Sequence, residues 1–249
     1  MSAFACDLHI HSCLSPCGDE AMTPNSIAGM AKLNGLQIVA LTDHNTCGND
    51  EAFFTACARY GIVPVAGMEL TTSEDVHLLC LFRTLADAKA FSAVVGEQRI
   101  KIRNRPEIFG HQTLMDSEDE PVGEEEHLLV NATNLSLEEA AALTGRYRGA
   151  AIPAHIDRES NGLLAVLGGL PDQPDFPTVE LRDETRFREL AQTYPSLAGK
   201  RRIVTSDAHQ LEDIADPGFR IELPCEADVN EQTVRDALMD YLTGSGGNT

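Results

Sequence analysis

Five apolar, strand-like segments of this 249-residue chain run directly into imidazole or carboxylate side chains. The first ends Asp7-Leu8-His9-Ile10-His11, where period-2 alternation places Asp7, His9 and His11 on one face and Leu8 and Ile10 on the other. Two imidazoles on alternate strand residues converge on one point and can share a metal ion. A later segment closes the same way, Thr205-Ser206-Asp207-Ala208-His209. Between them, Ile38 to Thr42 leads into Asp43-His44-Asn45, Val63 to Met68 into Glu69, and Ala151 to Ala154 into His155. Metal binding followed by hydrolysis is the chemistry that such a set supports. His77 is less regular, standing near the start of its strand candidate, while His111 and His127 border a polar stretch and read as solvent histidines.

The elements that must carry these residues alternate. Strand candidates are Phe4 to Ile10, Gln37 to Thr42, Ile62 to Met68, Val76 to Phe82, Ala150 to Ala154, Thr178 to Leu181, Arg202 to Thr205 and Phe219 to Leu223. Helical patterns lie between them: Pro24 to Asn34, Asn49 to Tyr60, Leu85 to Val95, Ser136 to Thr144, Asp183 to Gln192 and Asn230 to Leu242. The first is announced by Thr23 as N-cap with Pro24 at the first helical position and Gly35 at the end. Such alternation predicts an α/β fold, either a closed barrel or a parallel sheet. In a barrel, residues at the C-terminal ends of different strands meet at one face, where active sites sit. Residues 1–243 are expected to form one domain, with a mobile acidic excursion at about 104–127 and a disordered tail at 244–249.

Composition bounds the partners. Thirty-nine acidic against 19 basic residues give a formal charge of −20, which argues against an extended nucleic-acid partner, because counterion release needs a basic surface. No apolar run reaches the roughly 20 residues of a membrane span and no signal peptide opens the chain, so no membrane contact and a cytoplasmic location are expected. Seven cysteines without a C-x-x-C pair fit reduced thiols.

Taken in order, His9-x-His11, Asp43-His44, Glu69, His77, His155 and Asp207-x-His209 resemble the PHP (polymerase and histidinol phosphatase) domain family, and within it the small stand-alone proteins. The resemblance implies a distorted TIM-like (β/α)7 barrel with two or three divalent ions at its C-terminal face. It implies that His9, His11, Glu69 and Asp207 hold one ion, that Glu69 bridges to a second held by His77 and His155, and that His44 and His209 hold a third. The family supplies a further His or Asp after H-x-H, whereas this chain reads Ser12-Cys13-Leu14-Ser15-Pro16-Cys17-Gly18-Asp19, leaving Cys17, favoured on spacing, or Asp19. Mixed imidazole and carboxylate ligands favour zinc, manganese or iron over calcium, and a thiolate would favour the softer ions. Asp7 and Asp43, beside ligand histidines, either orient imidazoles or are solvated strand ends.

The function implied is a metal-dependent phosphoesterase that hydrolyses a small-molecule phosphate ester with ion-activated water. Arg158, three residues after His155, is the candidate for holding the phosphate, with Arg182 as a second choice; Lys101, Arg103 and Arg105 read as a solvated face. No G-x-S-x-G, P-loop or dinucleotide fingerprint competes. Two alternatives stay open: a nuclease-type phosphodiesterase, and a non-catalytic metal-binding regulatory protein.

Overall fold

The computed structural model describes residues 1–214, 219–226 and 229–245. In chain order the first half comprises β1 (Ser2–Asp7), α1 (Pro24–Leu33), β2 (Ile38–Leu41), α2 (Asp50–Tyr60), β3 (Val63–Thr71), β4 (His77–Phe82) and α3 (Leu85–Gln98). A short α4 (Pro106–Phe109) and the strands β5 (Thr113–Met115) and β6 (Pro121–Glu124) follow. The rest is α5 (Leu137–Arg146), β7 (Ala150–Pro153), α6 (Leu163–Leu167), β8 (Thr178–Leu181), α7 (Phe187–Thr193), β9 (Arg201–Val204), β10 (Arg220–Leu223) and α8 (Glu231–Thr243). Thr23 caps α1 through the Ser26 amide, and Ser136 with Glu139 forms a reciprocal capping box on α5.

A curled sheet runs β10-β1-β2-β3-β4-β7, and β8 pairs with β9 beside it. Two contacts join these pieces into a distorted TIM-like barrel of seven strands. Ile156 N donates to Glu180 O at 2.9 Å, linking the end of β7 to β8, and a parallel bridge between Ile10 and Ala208 links the segment after β9 to that after β1. Strand β4 runs antiparallel to both β3 and β7, so it starts at the face where its neighbours end. Strand β10 adds antiparallel to the first half of β1.

Alternation sorts side chains between inside and outside. Cys6, Ile38, Ala40, Val65, Leu79, Leu81, Ile152 and Ile203 form one buried cluster with Val234, Leu238 and Met239 of α8. Helix α8 sits below it: Arg235 donates to Pro64 O at the start of β3, and Thr178 at the start of β8 donates to Leu242 O. The alternate residues Met68, Leu78, Cys80, Val179 and Leu181 face an outer cluster with α3 and α5, while Val39 and Leu41 face α1 and α2. That phase carries Glu69, His77 and Glu180 inward. It breaks past Asp7, where Leu8 joins the inner cluster and Ile10 the outer one, so the single-face reading of Asp7 to His11 does not hold through the whole segment.

The acidic excursion is built into the fold rather than loose. Thr113 N donates to Cys13 O at 3.0 Å, Asn49 bonds both Thr113 O and Met115 N, and Arg59 pairs with Glu118. Gly110, at φ 97°, lies so close to the Pro16 carbonyl that a Cβ would strike it. Strands of three and four residues are too short to show periodicity, which is why the sequence reads as irregular there. Of the expected tail, Gly244 ends α8 in a left-handed turn, and residues 246–249 lie outside the described residues. Among the described residues no helix is long and apolar enough to cross a membrane, and all seven cysteines are free.

Asp50, buried at the start of α2, accepts the Gly67 amide at 3.0 Å. Burial, then the charge of Asp43, pushes its pKa well above the ordinary carboxylate value. The folded state therefore holds this proton more tightly than the unfolded chain, so its contribution to stability falls as pH rises above about 4 and through the folded-state pKa. Asp50→Asn keeps an acceptor for Gly67 and removes this slope. Its unfolding free energy, followed by denaturant titration, is expected to match the wild type near pH 4 and to exceed it increasingly towards pH 8, by at most about 1.4 kcal/mol per pH unit; parallel pH profiles of the two proteins would refute it.

Candidate metal centre

Six of the eight histidines meet at the top of the barrel. Glu69, at the end of β3 and 1% exposed, is their hub: its oxygens lie 2.7 Å from His77 Nδ1, 2.9 Å from His155 Nε2, 3.1 Å from His44 Nδ1, 3.4 Å from His11 Nε2 and 3.5 Å from His9 Nε2. His77 belongs to the site because β4 is antiparallel, which resolves its irregular place in the sequence. Asp207 Oδ1 lies 3.4 Å from His9 Nε2 and 3.3 Å from His11 Nε2. His209 stacks on His11 at 4.3 Å between ring centroids. His155 and Asp207 have φ of 27° and 48°, left-handed values that β-carbon-bearing residues adopt only when their surroundings enforce them.

Three groups bring their ligand atoms within 4.8 Å of one another: His9, His11 and Glu69; His44, Glu69 and His77; and His11, His44 and His209. The donor set fits divalent ions. His9 Nε2 and His11 Nε2 face each other at 3.0 Å, and the buried Nδ1 of His44, though 3.1 Å from Glu69, is not aligned for a hydrogen bond with it or with any other described residue. Imidazole nitrogens aimed at one another around carboxylates are what zinc, manganese or iron would hold apart.

Burial and the surrounding carboxylates compete to set the protonation of these imidazoles. Burial alone would lower the pKa of His9, but Glu180, Glu69 and Asp207 hold it well above the usual value. Burial likewise opposes protonation of His11, which hydrogen bonds to Asp207 and Glu69 raise to about 9. His44 is driven well below the usual value and His209 to about 4, each by burial first and then largely by neighbouring imidazoles. Glu69 would be raised by burial, yet the imidazoles of His77, His9 and His44 keep it well below the carboxylate range. Ion binding must displace these protons.

Around this cluster the outer residues divide. Arg158 and Arg182 both reach Asp207 Oδ2, at 2.7 and 3.0 Å, with side chains 45% and 42% exposed. Asp157 fixes the turn that presents Arg182, accepting the amides of Arg182 and Asp183 at 3.0 to 3.2 Å. Asp43 accepts from Ser12 and Ser15, and Ser15 Oγ lies 3.0 Å from His11 Nδ1, so Asp43 steadies that imidazole through a serine. Asp7 accepts the amides of His9 and Ser206. Cys17 is exposed and enters none of the three groups. Crowding by protein atoms, then the carboxylate of Glu69, pushes its thiol up to about 12. The Asp19 carboxylate is turned to the Ala21 amide, 2.8 Å away. His111 is exposed and His127 half-buried, both away from the cluster.

Glu180 is a buried carboxylate beside the cluster that motif order does not reveal. Its carboxylate lies 2.9 Å from His9 Nδ1. The signal for it was available, since a lone acidic residue in Thr178-Val179-Glu180-Leu181 must point into the barrel when Val179 and Leu181 point out.

The PHP domain model matches residues 7–203, and the chain belongs to the PHP domain family. An uncharacterized protein of Methanocaldococcus jannaschii is 34% identical over 113 residues, 42% of this chain and 66% of that protein. Among solved structures, the lesion-specific endonuclease Q of Pyrococcus furiosus superposes with a TM-score of 0.67 at 20% identity, covering 99% of this chain. This chain spans 57% of that structure's length. A putative metal-dependent phosphoesterase from Bifidobacterium adolescentis gives 0.54 at 19% identity, covering 94% of this chain and 95% of that one. An amidohydrolase from Chromobacterium violaceum with bound sulfate gives 0.53 at 21%, covering 93% and 96%. At these identities the structural likenesses speak for the fold.

Proposed function

We propose that this chain is a metal-dependent phosphoric ester hydrolase acting on a small phosphorylated molecule in the reducing cytoplasm. The observation that carries the reading is the pair Arg158 and Arg182, two half-exposed guanidiniums converging on the edge of an imidazole and carboxylate cluster. Cations placed beside candidate ion sites suit an anionic substrate, and planar guanidinium forks suit phosphate oxygens. His9, His11, Glu69 and Asp207 would hold one ion, Glu69, His77 and His155 a second, and His44 with His209 a third, with Cys17 kept as a candidate ligand at the mouth. Zinc, manganese or iron bound there would supply the positive charge that activates water and offsets charge on the transferring group. The chain's own groups then do the rest. Arg158 and Arg182 orient the phosphate, Asp207 and Asp157 fix their guanidiniums and backbone, and the buried walls exclude bulk water from the imidazoles.

A second reading, cleavage of a phosphodiester in nucleic acid, is favoured by the likeness to endonuclease Q, which is also known bound to a 27-mer duplex with an abasic lesion. The charge of −20 argues for the small substrate, and the shared fold limits how far that argument reaches. The presence of eight candidate imidazole and carboxylate ligands, His9, His11, His44, Glu69, His77, His155, Asp207 and His209, speaks against a purely regulatory metal protein.

The test is phosphate release from a panel of phosphomonoesters, run beside nicking of an abasic duplex, with manganese, zinc and iron supplied in turn. Turnover of a monoester supports the first reading, nicking alone the second, and neither would leave the hydrolase reading without support. On the substrate found, Arg158→Ala should lower kcat/KM by roughly 10- to 150-fold, the loss of about 1.5–3 kcal/mol from a hydrogen bond to a charged group. An unchanged value would remove Arg158 from the substrate site.

A further inference from the structure

We propose that Glu180 is a positioning residue of the metal centre, setting which nitrogen His9 offers to an ion. The proposal rests on the metal-binding reading above. Glu180 has no solvent exposure, and its two oxygens receive donors from three different strand ends. Oε1 and Oε2 lie 2.9 and 3.2 Å from His9 Nδ1, after β1. Oε2 accepts the backbone amide of His155 at 2.7 Å, after β7, and Oε1 accepts the hydroxyl of Thr205, after β9. Each of these segments carries a candidate ligand: His9 and His11, His155, and Asp207 with His209.

The chemistry of this contact is directional. An ionised carboxylate only accepts hydrogen bonds, so it fixes the His9 proton on Nδ1 and leaves Nε2 as the nitrogen free to bind an ion. Nε2 is also the atom that faces His11 at 3.0 Å, Asp207 at 3.4 Å and Glu69 at 3.5 Å. The His155 amide can reach Glu180 because φ there is 27°, a turn that also aims the His155 ring at Glu69, 2.9 Å from Nε2. The next amide, Ile156, donates to the main-chain carbonyl of Glu180 at 2.9 Å. Side chain and main chain of one residue thus hold two consecutive amides of the strained turn.

Glu180→Gln tests this with almost no change in volume. If the glutamine oxygen keeps the His155 amide, its NH2 takes the place of Oε1, facing the Thr205 hydroxyl, which can turn to accept, and His9 Nδ1, which must accept too, so that the ring proton moves to Nε2, where an ion would bind. In a Co2+ titration followed by visible absorption, the variant should lose roughly 10- to 100-fold in affinity for one of the ions, with an altered spectrum. Thr205→Val removes one donor to Glu180 but leaves the His9 contact, so it should stay within about threefold of the wild type. Glu180→Gln binding Co2+ with wild-type affinity and spectrum would overturn the proposal, as would Thr205→Val losing as much affinity as Glu180→Gln. Should Glu180→Gln fail to fold, 15N spectra of histidine-labelled, zinc-loaded wild type decide: a His9 proton on Nδ1 supports the assignment and one on Nε2 overturns it. A wild type that takes up no Co2+ at all would sink the metal-centre reading itself.

Discussion

Replacing Glu69 with glutamine should strip the centre of most of its bound metal and abolish turnover while the barrel remains folded. Glu69 meets five imidazoles within 3.5 Å, more than any other carboxylate among the described residues. Removing one charged partner from a buried ionic cluster costs about 3–5 kcal/mol. In ion affinity that is roughly two to three and a half powers of ten. Metal analysis of protein purified without chelators, set beside the circular dichroism spectrum, measures both halves of this expectation. A Glu69→Gln protein that keeps the wild-type metal content would show that the carboxylate bridges nothing.

The second large effect concerns the whole fold. Each ion at a hundred times its dissociation constant adds about 2.7 kcal/mol to the native state, so two ions add about 5 kcal/mol. For a chain of this size that corresponds to a rise of roughly 10–20 °C in Tm. The candidate ligands come from the ends of β1, β2, β3, β7 and β9 and the start of β4, so ions would tie together strands that the sheet joins only pairwise. Thermal melts with manganese, zinc or iron, then with excess chelator, should show this shift and its reversal. Melting curves insensitive to all three metals would contradict it. The gain should shrink on acidification, because His11, held at about 9, and His9, raised well above its usual value, must give up protons before they can bind an ion.

Much of this cluster was legible because its imidazoles and carboxylates sit at strand ends, where a polar residue breaks an apolar run. All eight expected strands are present within a few residues, and the six histidines, Glu69 and Asp207 carried over from the family pattern lie in the cluster, whereas Cys17 and Asp19 join none of its ligand groups. What could not be read was whatever depends on strand direction or on long-range pairing. His77 looked misplaced because nothing local says that β4 runs backwards. Glu180 was hidden because its partners, His9, His155 and Thr205, are 171, 25 and 25 residues away. The β5–β6 hairpin was missed because so few residues form it and its anchors, Cys13, Asn49 and Arg59, lie far upstream. Arg158 and Arg182 were ranked only by nearness to strand ends; the structure gives them equal claim, since both reach the same oxygen of Asp207.

The reversed strand also bears on how the chain assembles. Glu69 and His77 are 8 residues apart across the β3–β4 hairpin, whereas Glu69 and His155 are 86 apart. By chain-closure entropy the shorter contact is cheaper by about 2 kcal/mol. A nascent polypeptide can therefore bring together half of the bridged pair as soon as residue 77 has emerged, and that hairpin offers an early nucleus onto which the distant β7 and β9 segments condense.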